Sequence, residues 1–248
     1  MNALSNQVVI VTGGASGIGG AITKELVERG AHIVAVDLNE DAGQLIEKEN
    51  PGKVFFLKGD VSKNETATTA VKIAIEKFGK LTGLVNNAHA SRQKPFFELT
   101  DEDWALSFGT GFQATLQFMK AAYPELKKHQ GSVVNFGSGA ALEGSRYQAS
   151  YAAAKEAIRG LSRVVATEWA ADNIRVNVVC PLAFTTGVEK WKENFPEDYQ
   201  HVVEQIPLGR FGDPQRDVAP IVAFLLSADS QYMTGQTLMA DGGDIKLR

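Results

Sequence analysis

The chain has 248 residues, 44% of them hydrophobic and 22% charged, and a formal net charge of -4, which gives no support for a nucleic-acid or acidic-membrane partner. One cysteine, Cys180, excludes an internal disulfide and fits a reducing compartment. The start, "MNALSNQVVI", lacks a basic region followed by a long apolar run, and no apolar stretch approaches the roughly 18 residues of a membrane span, so the expectation is a soluble cytoplasmic protein.

The first predicted strand, "QVVIVT" (7–12), runs into "TGGASGIGG" (12–20) and a helical pattern over 18–30. Gly13, Gly17 and Gly19 let the backbone turn tightly and approach a pyrophosphate at the helix N-terminus, where free N–H groups and the helix dipole favour an anion. A P-loop is excluded because Gly20, not lysine, follows Gly19. The second strand, "HIVAVD" (32–37), ends at Asp37, 18 residues after Gly19. A carboxylate there accepts hydrogen bonds from adenosine ribose hydroxyls and repels a 2′-phosphate, so NAD is preferred over NADP. Capping of the next turn is the plainer alternative for Asp37. The third strand, "KVFFLKG" (53–59), leads to Asp60, at the adenine position or at the cap of the helix over 64–78.

The fourth strand, "LTGLVNN" (81–87), is followed by His89 and Arg92. These two are candidates for recognising a polar or anionic substrate, against the alternatives of a packed loop histidine and a surface charge. "ELTDEDW" (98–104) reads as a helix start with capping acids rather than a metal site, and no His/Cys cluster has metal-ligand spacing. A helix over 114–128 and the strand "GSVVNF" (131–136) bring the chain to Ser138. Glu143, Arg146, Tyr147 and Gln148 come next, with Glu143 and Gln148 kept as substrate-binding candidates. The helix over 149–170 contains "YAAAK", whose Tyr151 and Lys155 share one face. After the strand "IRVNVV" (174–179), residues 183–207 are too long for an ordinary connection and hold Val188, Trp191 and Phe195 at roughly helical spacing. They form either a surface excursion or a lid over a ligand. "QTLMAD" (236–241) is the seventh strand.

Strands that are nearly continuous in Val, Ile, Leu and Phe, alternating with helices, favour a parallel sheet covered on both faces, with a (β/α)8 barrel as the competing reading. No linker or composition break divides the chain, so one domain over 1–248 is expected.

A phenol with a free pKa of about 10 is a poor acid or base at neutral pH. A cation one helical turn away lowers that pKa, and a positively charged nicotinamide pushes the same way. Tyr151 then takes a proton from an alcohol, or gives one to a carbonyl, while hydride moves between substrate and cofactor. Ser138, thirteen residues before the tyrosine, is placed to hydrogen-bond the substrate oxygen.

Taken together, "TGGASGIG", "GDV", "NNA", "NFGS", "YAAAK", "CPLAFTT" and "TGQTLMADGG" resemble the short-chain dehydrogenase/reductase family over essentially the whole chain. The resemblance implies a Rossmann-like, doubly wound, seven-stranded parallel sheet in three layers and an NAD(P) cofactor. It also implies Ser138, Tyr151 and Lys155 as the catalytic serine, tyrosine and lysine, with Lys155 also binding the nicotinamide ribose. Ser16, Ile18, Val61, Asn87, Pro181, Phe184 and Thr186 become cofactor-contact candidates, Thr186 on the carboxamide, and Asn86 is placed near the adenosine side. The TGxxxGxG spacing goes with compact alcohol–ketone enzymes rather than extended epimerases and dehydratases.

Three positions depart from the family pattern. Gly111 stands where an asparagine is usual; that residue's main-chain carbonyl holds a relay water, and a glycine carbonyl is expected to serve. His89 and Leu182 each stand where glycine is usual, and Leu182 leaves Thr185 as a rival to Thr186. In the Tyr151 helix, Ala154, Ile158, Leu161, Val165 and Trp169 form one apolar stripe, and Ala153, Ala157, Gly160 and Val164 a second, mostly small one. Two apolar faces suit helix-mediated association, so a homo-oligomer, dimer or tetramer, is expected. The expected activity is NAD-dependent interconversion of a secondary alcohol, or sugar hemiacetal, and a carbonyl. The polar candidates His89, Arg92, Glu143 and Gln148 tilt the substrate toward a sugar, polyol or hydroxy acid over a steroid. The alternatives are an acyl-chain or cyclic-ketone reductase, which calls for an apolar cleft beneath 184–206, and a non-catalytic NAD-binding sensor.

Overall fold

Seven parallel strands form one open sheet in the order β3-β2-β1-β4-β5-β6-β7. They are β1 (Val8–Thr12), β2 (His32–Asp37), β3 (Val54–Lys58), β4 (Gly83–Asn86), β5 (Ser132–Phe136), β6 (Arg175–Pro181) and β7 (Thr237–Ala240). The computed structural model describes residues 4–246, so the first three and last two residues of the expected 1–248 domain lie outside the described residues. The helices are α1 (Gly17–Glu28), α2 (Glu40–Glu49), α3 (Asn64–Phe78), α4 (Asp101–Ser107), α5 (Ala114–His129), α6 (Gly139–Glu143), α7 (Ala149–Glu168), α8 (Thr186–Asn194), α9 (Pro196–Gln205) and α10 (Ala219–Leu226). β3 and β7 are free edges, which removes the closed-barrel alternative.

The central strands are buried on both faces, as their unbroken apolar runs require. Along β1 the side chains alternate between two cores. Val9 and Val11 join Ile22 and Leu26 of α1 and Val222 and Leu225 of α10 on one side. Val8 and Ile10 join Val71 and Ala74 of α3 and Phe118 and Met119 of α5 on the other. Each fully buried Val, Ile or Phe contributes about 1.5–3 kcal/mol relative to exposure, so a one-residue slip of β1 would exchange its partners on both faces at once.

The chain winds outward from β1 to β3, then returns to place β4 against the other side of β1. At such a reversal the loops leaving β1 and β4 diverge to opposite faces, and the crevice at the strands' carboxyl ends is where open α/β sheets bind ligands. The glycine turn, the "NNA" segment and Ser138 all follow strands that end there.

Candidate active site

At the head of α1, Gly13 and Gly17 have φ of +63° and +54°, in the left-handed region. At Gly19 a Cβ would lie 2.0 Å from the Gly13 carbonyl oxygen, so no larger residue fits. Ser16 caps α1 without a side-chain bond, which leaves the N–H groups of the first turn to a ligand. Asp37 is fixed beside the turn, with Oδ2 accepting from the Ala15 N–H at 3.1 Å and Oδ1 from Asn39 N–H at 3.0 Å. Backbone, glycines and carboxylate thus fit a dinucleotide.

Thr12, the last residue of β1, ties this turn to the loop after β4. Its hydroxyl donates to the Val85 carbonyl and accepts from the N–H groups of Asn87 and Ala88 at 3.0 and 3.1 Å. The Asn87 amide donates to the carbonyls of Thr12 and Gly13 at 3.0 and 3.4 Å. Asn86 corrects the expectation of an adenosine neighbour: it is buried in the sheet and donates to Asn135 Oδ1 at 2.8 Å. Asp60 accepts from the Ser62 N–H at 2.9 Å within its own loop and does not cap α3, whose N-cap is Lys63 without a side-chain bond, and Val61 packs into a core.

Ser138, Tyr151 and Lys155 line one cavity of about 890 Å³ together with Ile18, Asn87 and Pro181. Ser138 caps α6 in extended conformation, but its hydroxyl makes no cap bond. It lies close enough to the Tyr151 phenol to favour its ionised form. Lys155 is buried and donates to the Phe136 carbonyl at 2.9 Å, with Nζ 5.7 Å from the centre of the Tyr151 ring.

The electrostatics correct the expected acidification of the phenol. In the protein alone, burial raises the Tyr151 pKa, the nearby Ser138 hydroxyl opposes that rise, and Lys155 does not contribute to the shift. Burial acts on the lysine too, bringing it down to about 8. Desolvation of both groups outweighs the pairing that their spacing suggested.

His89, Glu143 and Gln148 line the same cavity. His89 is held neutral, its pKa pushed down to about 3 by burial and by the Lys155 charge. Arg92 is a correction: rather than facing substrate, it binds buried Asp103 at 2.9 Å, beside Lys94 at 2.7 Å. Lys94, the Thr100 N–H and Arg92 hold the Asp103 carboxyl well below the usual range, and Asp103 closes a capping box with Thr100. The acids of "ELTDEDW" therefore start a helix and clamp a loop.

Two further cofactor candidates are displaced. Thr185, the cap of α8, lines the cavity, while Thr186 is exposed. Phe184 packs on Tyr199 and Lys192 rather than on the cavity. Segment 183–207 forms α8 and α9, and Val188, Trp191 and Val202 give the cavity an apolar wall. Gln93, Asp241 and Asp244 also line it and were not singled out by sequence, since residues 241 and 244 follow β7, more than 80 residues beyond Tyr151. The "DGG" after β7 was their only signal.

A family model described as enoyl-(acyl carrier protein) reductase matches residues 13–244. A 12alpha-hydroxysteroid dehydrogenase of a Clostridium species is 44% identical, over 98% of each chain. A 3-oxoacyl-[acyl-carrier-protein] reductase of Chlamydia muridarum is 35% identical, over 97% of this chain and 98% of its own. Among solved structures, a short-chain dehydrogenase/reductase, glucose/ribitol dehydrogenase, from Brucella melitensis superposes with a TM-score of 0.91 at 31% identity, covering 98% of both chains.

Proposed function

This chain belongs to the short-chain dehydrogenase/reductase family and is an oxidoreductase of hydroxyl and carbonyl groups; from that premise we propose that it is an NAD-dependent dehydrogenase of alicyclic secondary alcohols, of hydroxysteroid size. The reading is carried by the convergence of Ser138, Tyr151 and Lys155 on one cavity beside the glycine turn.

Ser138 holds the alcohol oxygen, and Tyr151 takes its proton. Lys155, with two N–H groups left after the bond to Phe136, holds the nicotinamide ribose. The resemblance gives the Gly111 carbonyl a place in the proton path, but Gly111 lies in the turn over 108–113, its carbonyl accepts from the Ala114 N–H, and it is not among the residues lining the cavity. Bound NAD supplies the hydride acceptor and a positive ring that favours phenolate, the role the lysine alone does not fill. Asp37, with no arginine or lysine in the glycine turn or the two positions after it, supports NAD over NADP.

The substrate class follows from the walls. The small polar reading drew on His89, Arg92, Glu143 and Gln148; of these Arg92 is bound to Asp103 and His89 is uncharged, which removes both cations expected to meet an anionic substrate. Glu143, Asp241 and Asp244 line the cavity and disfavour an anion there. Val188, Trp191 and Val202 instead offer an apolar face to a ring system, and the 44% identical relative is a hydroxysteroid dehydrogenase. Glu143 and Gln148 still favour a polyol as a second reading. The segment over 183–207 serves as the lid, and the partly open face of α7 at Ala153, Ala157, Gly160 and Val164 suits a homo-oligomer.

Purified protein assayed with hydroxysteroids, polyols and hydroxy acids, each with NAD and NADP, tests the proposal. NAD reduction with a hydroxysteroid, lost by about 10²-fold or more in Tyr151→Phe, is expected. Turnover that survives in Tyr151→Phe would refute the assigned chemistry, and turnover with polyols alone would move the substrate to the second reading.

A further inference from the structure

Behind the phenol of Tyr151 lies a second aromatic ring. The His89 imidazole stacks on it with centroids 4.9 Å and planes 17° apart. Its Nε2 is 3.0 Å from Ser107 Oγ, and that hydroxyl lies 3.0 Å from the Ser150 carbonyl, to which it donates. Counting protons fixes the tautomer. A serine hydroxyl has a single hydrogen; Ser107 directs its own to Ser150, so it receives one from His89, and Nε2 carries the imidazole hydrogen. Nδ1 is then a bare acceptor, buried with no partner.

The ring also has a prepared seat. A Cβ on Gly111 would fall 2.9 Å from His89 Nε2 and 3.1 Å from Cε1, so any side chain there would displace the imidazole. Gly111 lies in a π-helical turn, Phe108–Gln113, that follows directly on Ser107. Three separate segments thus meet at Tyr151: the loop after β4, the end of α4 with its π-turn, and the start of α7.

Packing alone does not call for a histidine. Phenylalanine would stack as well and would leave no buried acceptor unpaired. What phenylalanine lacks is Nε2–H, the link to Ser107 and through it to the main chain one residue before Tyr151.

We propose that His89 is the positioning residue of Tyr151: an uncharged imidazole, seated by the missing side chain of Gly111 and anchored through Ser107 to Ser150, that holds the phenol in its reacting orientation. The inference rests on the reading of Tyr151 as acid/base.

Four variants test it: His89→Phe, His89→Ala, Gly111→Ala and the double variant His89→Ala/Gly111→Ala, with Tyr151→Phe as control. His89→Phe keeps the stack but not the anchor. Its kcat is expected to fall by about tenfold to 10²-fold, the scale of an ångström-level misplacement, with KM for NAD within about twofold of the original. Gly111→Ala is expected to lose as much kcat as His89→Ala, and the double variant no more than His89→Ala alone, because both changes act through one ring. Melting temperature supplies a readout independent of turnover. Gly111→Ala is expected to lower it in the natural chain and to raise it in the His89→Ala background, where only the helix preference for alanine remains. The alkaline absorbance titration of Tyr151, taken as the difference from Tyr151→Phe, is expected to shift in His89→Phe.

Natural kcat and an unshifted phenol titration in His89→Phe would overturn the proposal, as would additive effects of the two alanine changes. Persistence of turnover in Tyr151→Phe would instead refute the proposed chemistry, and the melting and titration arms would still decide whether His89 positions the phenol.

Discussion

Lys155→Met should make the free protein more stable while abolishing its activity. The ammonium is buried, and burial holds its pKa at about 8 against an ordinary 10.5. That displacement corresponds to about 3 kcal/mol of unfavourable charge burial at neutral pH. Methionine has a similar unbranched reach without charge. It forfeits the bond from the charged ammonium to the Phe136 carbonyl, worth about 1.5–3 kcal/mol. The net gain reaches about 1.5 kcal/mol at most, a rise in Tm of up to about 6 °C. Because the folded pKa lies below the unfolded one, the native protein regains stability as pH rises from about 8 toward 10.5. The advantage of the variant is therefore complete at pH 7 and fades through that window. The titration of Tyr151, to whose shift Lys155 does not contribute, cancels in the difference. Thermal and urea unfolding at pH 7 and pH 10 measure it. A variant less stable than the natural protein at pH 7, or a difference that does not change with pH, would refute the reasoning.

Other changes probe the remaining parts of the site. Asp37→Ala is expected to raise KM for NAD by about 10- to 100-fold, the scale of lost charge-assisted hydrogen bonds, and to lower KM for NADP; initial-rate kinetics with both cofactors decide it. Gly19→Ala is expected to abolish NAD binding in calorimetry, since its Cβ would meet a backbone oxygen that cannot move aside. Asp103→Asn is expected to lower Tm at pH 7, and its deficit should shrink as pH falls below about 4, where the natural carboxylate begins to lose the stability its low folded pKa provides. Trp191→Ala is expected to raise KM for a hydroxysteroid while leaving kcat for a small secondary alcohol nearly unchanged.

The sheet was readable because its strands are covered on both faces and announce themselves as unbroken apolar runs. Six of its seven candidate segments extend past the observed strand at one or both ends, as 81–87 does around Gly83–Asn86. α2 carried no comparable signal: among its ten residues only Gly43 and Ile46 are buried. Within the site, Asn87, Ser138 and Pro181 lie at or just after strand ends, and topology brings those ends to one cavity. Errors came where the outcome depended on orientation or environment. Asn86 and Asn87 are neighbours in sequence, yet alternation along a strand sends one into the sheet and the other to the glycine turn. Thr185 and Thr186 divide in the same way, at a helix cap. Arg92 was misjudged because its partner, Asp103, read as an ordinary capping acid, and nothing in "ELTDEDW" revealed that its carboxylate would be buried. The spacing of Tyr151 and Lys155 reported proximity correctly but not the desolvation that overrides it.

One hydroxyl, that of Thr12, fastens the dinucleotide turn to the strand-end loop carrying His89. The Asn87 amide adds its own bonds to the Thr12 and Gly13 carbonyls, so the two walls of the crevice share one set of fastenings, and a change that loosens one wall loosens the other.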